Sequence, residues 1–170
     1  RLYYREEAVR SIAQDSVSEQ TLLGPIIVIP YTEYYTVEEL ENVDSKTKVK
    51  RQRSETRHHY IYPSELNVRS VVDTDQRYRG IHKVLVYNGT HALTGKFDLP
   101  DESVFIAKHT ESQIKLWPAY VSVGLSDTRG LRNTPKIMLG GKVYEFMQES
   151  KLASFKNGIH APISIDNYTK

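Results

Sequence analysis

Hydrophobic and polar residues alternate with a period of two along most of the chain, and short turn signals break the alternation into segments of strand length. Residues 24–31 run Gly-Pro-Ile-Ile-Val-Ile-Pro-Tyr, a continuous apolar stretch bounded by prolines that reads as a strand buried on both faces. Ala119, Val121, Val123 and Leu125 alternate with Tyr120, Ser122, Gly124 and Ser126, the pattern of a half-buried strand. Two short strands are predicted around Gly140-Gly141 within residues 136–147, and another over 159–165. Residues 2–16 differ. There Leu2, Val9, Ile12 and Ala13 fall at spacings of seven, three and four, which predicts an N-terminal helix.

The strongest local turn signal is Asn88-Gly89, the preferred dipeptide for a two-residue hairpin turn in which both central residues take positive φ. Pairing Tyr87 with Thr90 would place Val84, Val86, Leu93 and Phe97 on one buried face and Lys83, Thr90, Thr94 and Lys96 on the other. A second hairpin is written in charge. Residues 31–44 carry five acids and residues 46–57 six bases, so folding back near Asp44 sets opposite charges across the turn, worth about 0.2–1 kcal/mol per pair.

Composition agrees with the strand reading, since Val, Ile, Thr and Tyr number 51 against 20 for Leu plus Ala. The fold class expected is mainly β, an antiparallel β-sandwich-like domain (21–170) preceded by one N-terminal α-helix (1–20). At 170 residues the chain suits a single domain that buries roughly 70% of its unfolded surface. A net charge of +2 lacks the single-sign excess of a nucleic-acid binder, and the basic run is balanced by its acidic neighbour, so no nucleic acid is expected as a partner. The absence of cysteine removes disulfides, Cys-ligated metals and thiol nucleophiles.

The remaining chemistry is sparse. The adjacent His58 and His59 would point to opposite faces of a strand, and no HxH or HExxH spacing occurs, so neither a metal nor a cofactor is expected. Asp73-Thr74-Asp75 lacks the glycine and distal glutamate of a calcium loop. No nucleophile elbow or phosphate loop appears, and the chain is not expected to be an enzyme. A wall-modifying hydrolase would need a carboxylate pair in a cleft. Two sequons, at Asn88 and Asn167, are present, and the first is explained by its turn. The candidate residues are Arg77, Arg79, Asp127 and Arg129, which sit at strand ends beside glycines. Either they form a partly buried ion pair that ties two strand ends together, or the arginines converge on a small anionic ligand.

Several short segments, in order, carry a resemblance. They are Tyr4-Arg5-Glu6, Gly24-Pro25 through Pro30-Tyr31, Arg77-Tyr78-Arg79-Gly80-Ile81 with Val84, Val86 and Tyr87, Gly95-Lys96-Phe97, Leu125-Ser126-Asp127-Thr128-Arg129-Gly130, and Gly158-Ile159-His160-Ala161. In these the chain resembles the CreD family of bacterial inner-membrane proteins. The resemblance implies an N-terminal transmembrane helix that the predicted helix would continue, a large periplasmic region of which this chain is the first of two pieces, and several C-terminal transmembrane helices. It further implies a role in envelope integrity, colicin tolerance and envelope stress. Its partners would be the inner membrane, reached through those helices, and an envelope protein or ligand, and it supplies no catalytic residue. The alternative is a sensor-like domain that binds a small anionic envelope ligand.

Overall fold

In the computed structural model, residues 5–16 and 21–165 are described, with backbone only for 5–16 and Arg79. The Gly24–Tyr31 run lies within β2 (Leu22–Leu40), a strand with neighbours on both sides. It pairs with β3 (Lys48–Ile61) along its length, from Ile27 opposite Ile61 to Leu40 opposite Lys48. On the other side it meets β7 (Tyr120–Leu125) and then β6 (Gln113–Leu116). β10 (Met147–Gln148) and β11 (Gly158–Pro162) complete this antiparallel sheet, in the order β10-β11-β7-β2-β3. The second sheet runs β4-β5-β1-β8-β9, from β1 (Arg5–Ser16), β4 (Glu65–Arg79), β5 (His82–Asp98), β8 (Lys136–Leu139) and β9 (Lys142–Glu145).

One apolar core joins the two sheets. Ile27, Ile29, Val121, Val123, Leu125, Ile159 and Ala161 come from the first, and Leu93, Phe97, Ile137 and Leu139 from the second. The mainly β, antiparallel reading therefore holds. β7 is buried on both faces rather than one, because residues 146–157 cover its outer side. Ser122 Oγ donates to the Ser150 carbonyl, Tyr120 packs with Ile26, Val28 and Leu152, and the Phe155 ring lies where a Cβ at Gly124 would collide. The charged hairpin forms as expected, with Glu39 2.7 Å from Arg53 and 3.6 Å from Arg51. The strands flanking Gly140-Gly141 are also in place.

Two expectations are corrected. The N-terminal helix is instead strand β1 over Arg5–Ser16, and residues 1–4 and 17–20 lie outside the described residues. β1 runs between β5 and β8, so its backbone joins a ladder on each side, and this tertiary pairing overrides the spacing of Val9, Ile12 and Ala13. Asn88-Gly89 is likewise not a turn. β5 passes straight through it, Asn88 lies opposite both Asp73 and Asp15, and Arg132 Nη2 holds the Asn88 side-chain carbonyl at 3.1 Å. A turn there would break two ladders at once. The chain reverses instead at Gly80-Ile81, where Arg79 lies opposite His82 and Gly80 takes φ 62°, a left-handed conformation suited to glycine. The continuous strand keeps its parity, so Leu93 and Phe97 face the core while Val84 and Val86 lie on the opposite face, half-buried.

No helix among the described residues is long and apolar enough to cross a membrane. The sequon at Asn167 lies outside the described residues.

Candidate functional site

Inward-facing positions of β2 run Ile27, Ile29, Tyr31, and the next is Glu33, which is wholly buried. A carboxylate at a core position of a central strand is costly unless its lone pairs are met. Here they are. Arg57 Nη2 on β3 lies 2.7 Å from Glu33 Oε2, the Lys108 backbone N–H donates to the same oxygen at 3.1 Å, and the His109 N–H donates to Oε1 at 2.8 Å. The His109 ring nitrogen Nδ1 lies 3.2 Å from Oε1.

Arg57 is itself well held. Its Nη2 also donates to the Ile106 carbonyl at 2.8 Å, its Nε to the Tyr31 hydroxyl at 3.4 Å, and its Nη1 lies 2.9 Å from Glu55. Burial alone would push the Glu33 carboxyl up. The Arg57 guanidinium, the Lys108 and His109 N–H groups and the Ser112 hydroxyl reverse this and hold it far below the ordinary carboxylate range. Hydrogen bonding to Glu33, then to Tyr31, correspondingly raises Arg57. The network therefore anchors the 106–112 loop onto the β2–β3 ribbon.

Above the anchor, the Tyr35 and His109 rings stack at 3.6 Å with 5° between their planes. Beside them an open pocket of about 370 Å³ is lined by Tyr34, Tyr35, Thr36, Gln52, Glu111 and Gln113. Phenols, amides, a hydroxyl and a carboxylate give it both donors and acceptors. On the far side of β2, Trp117 Nε1 donates to Thr32 Oγ1 at 2.8 Å, and that hydroxyl lies 2.8 Å from Thr56 Oγ1.

The residues singled out from the sequence lie elsewhere. Asp127 and Arg129 are brought together in the loop after β7. Arg129 Nη2 is 2.7 Å from Asp127 Oδ2, and the Arg129 backbone N–H and Nε both donate to Oδ1 at 3.0 Å. Arg77 lies on β4 in the other sheet, with its Nε 3.4 Å from Asp75. Arg79 ends β4, and its side chain lies outside the described residues. In each of these two pairings the arginine meets an aspartate two residues away.

The Arg129 guanidinium and its N–H hold the Asp127 carboxyl at about 2, below its ordinary 3.8. The stabilisation is thus present above pH 3.8 and is lost as pH falls through 2. It is a surface pair, since the Arg129 side chain is 89% exposed. Arg129→Ala is therefore expected to shift the melting temperature at pH 7 by no more than about 2 °C, which a thermal melt checks.

Sequence reasoning counted Glu33 and Arg57 among the opposed charges of a hairpin and missed the anchor. Parity was the available signal, because Glu33 continues the inward series Ile27, Ile29, Tyr31. The loop that buries it arrives some 75 residues later and leaves no mark near Glu33.

Comparison with known proteins bears on the whole chain. The family model described as "Inner membrane protein CreD" matches residues 1–170. The inner membrane protein CreD of Escherichia coli (strain K12) is 28% identical over 167 residues, covering 98% of this chain and 35% of the relative. The chain thus spans about a third of the length of that protein. No solved structure matches it.

Proposed function

The chain belongs to the CreD family of inner membrane proteins, and from that premise we propose that it forms a periplasmic part of an inner-membrane protein that supports envelope integrity by binding rather than by catalysis. The observation that carries the binding role is the state of Glu33. Glu33, the most deeply buried acid among the described residues, has both oxygens engaged by fixed donors, so it holds a loop in place and is not poised to carry a proton. What this anchor positions is the Tyr35–His109 stack and the polar pocket beside it, a surface equipped to hydrogen-bond a partner. Envelope integrity, colicin tolerance and the stress response come to this chain through its family.

Two measurements test the reading in the full-length protein. Val43 is 98% exposed in the loop between β2 and β3, so Val43→Cys, compared with the full-length protein without it, reports sidedness. A membrane-impermeant maleimide is expected to label it in cells with an intact inner membrane. Labelling only after inner-membrane lysis would place the domain on the cytoplasmic side. For the binding role, Gln52→Ala with Gln113→Ala is expected to leave the melting temperature within about 2 °C while abolishing complementation of an envelope defect. Full complementation by that folded variant would remove the pocket from the function.

A further inference from the structure

We infer that β4 is a self-pairing edge, through which two copies of this chain join antiparallel strands about a two-fold axis at Val72. β4 closes one side of its sheet, and among the described residues no strand pairs with its outer side. It is fifteen residues long and, apart from Arg79, exposed along its length. Such an edge presents a row of unpaired backbone donors and acceptors, a template for another strand.

The sequence of β4 is self-complementary in one full-length register. When Val72 lies opposite its own copy, each residue meets the one equally far on the other side of the axis. Glu65 then faces Arg79, and Arg69 faces Asp75. Leu66 faces Tyr78, Ser70 faces Thr74, and Val68 faces Gln76. No like charges meet. Opposed residues share parity, so the charged pairs lie on one face of the joined sheet and the apolar pairs on the other. On the apolar face Leu66, Val68, Val72 and Tyr78 are 41%, 50%, 57% and 71% exposed in the single chain. Moving the axis to Asp73 would set Asp73 against itself and Arg69 against Arg77, whereas moving it to Val71 keeps Glu65 against Arg77 and Arg69 against Asp73 but shortens the paired strands, so charge excludes the first shift and length disfavours the second.

The other long edge behaves in the opposite way. β3 carries Lys48, Lys50, Arg51, Arg53 and Arg57 against Glu55 alone, so a second copy would meet like charge there. β4 balances three acids, Glu65, Asp73 and Asp75, with three arginines, Arg69, Arg77 and Arg79. The fold thus guards one edge and leaves the neutral one able to accept its own copy.

Single cysteines test the register in this cysteine-free chain, and the same pairs are then tested in the full-length protein in membranes. Under mild oxidation Val72→Cys is expected to give a disulfide-linked dimer, because the two positions meet at the axis. Leu66→Cys alone is expected to give none, since the two copies lie about 40 Å apart along the paired strands. Mixed Leu66→Cys and Tyr78→Cys chains are expected to crosslink to each other. Arg69→Glu is expected to weaken self-association about tenfold or more, and adding Asp75→Arg to restore it. Because the double variant recovers the dimer, loss of folding cannot account for the single variant. Equal crosslinking at positions 66 and 72, no dimer from Val72→Cys, or an adduct with the mass of another protein would overturn the proposal.

Discussion

Phe97→Ala is expected to cost about 3–5 kcal/mol of stability, the largest loss from any single core truncation on β5. Phe97 is wholly buried where the two sheets meet, in the cluster with Leu93, Ile137 and Ile29. A small, partly open pocket lined by Pro25, Leu66, Leu93 and Ile137 already lies beside it, so truncation enlarges a gap at the seam of the two sheets. Thr94, half-buried and of opposite parity, is expected to lose no more than about 1 kcal/mol when changed to Ala. Val84→Ala tells the two readings of this strand apart. A turn at Asn88-Gly89 would make Val84 a core residue alongside Phe97. The continuous strand places it on the other face, half-buried, and limits its loss to about 1 kcal/mol. Denaturant melts of the three variants decide the matter, and equal losses for Val84→Ala and Phe97→Ala would contradict the strand described here.

This strand also shows what local sequence conveys and what it does not. The alternation over residues 119–126, the apolar run at 24–31 and the charged hairpin were all legible, because each is decided by neighbours a few residues away or directly across a turn. Asn88-Gly89 and the Val9–Ile12–Ala13 spacing misled for a common reason. Both lie in strands with a partner on either side, where ladders with β4, β5 and β8 outweigh a turn preference or a helical spacing worth about 1 kcal/mol. The double burial of β7 was illegible because its cover, residues 146–157, holds only the two-residue strand β10 and otherwise irregular chain, too short a pattern for a period to read. Family resemblance was the most far-reaching signal, since short motifs in a fixed order survive where periodicity is ambiguous. It did not reach the Glu33 anchor, to which it assigns no role.

Arg57→Ala is expected to lower the melting temperature at pH 7 by on the order of 10 °C, because it leaves the Glu33 carboxylate buried without its countercharge. The two N–H donors from Lys108 and His109 remain, yet they neutralise no charge, and the 106–112 loop also loses the Arg57 bond to the Ile106 carbonyl. Glu33→Gln is expected to be milder, since Arg57 keeps Glu55 at 2.9 Å and the amide fills the same space. Acid dependence separates the electrostatic part from the packing part. Glu33 is held below its ordinary value of 4.5 in the folded state, so its contribution is fully present above that value. As pH falls below it, the unfolded chain takes up a proton that the folded chain refuses, and stability drains away. Wild-type melting temperature should therefore fall between about pH 5 and pH 3 more steeply than that of Glu33→Gln, which has no carboxylate to titrate. In Arg57→Ala the acid-dependent decline should be smaller and end at higher pH, because burial, which raises the Glu33 carboxyl, is then opposed only by the backbone N–H groups and the Ser112 hydroxyl, and the folded chain takes up the proton sooner. Parallel wild-type and Glu33→Gln curves across that range would show that Glu33 is not the charged anchor of the loop.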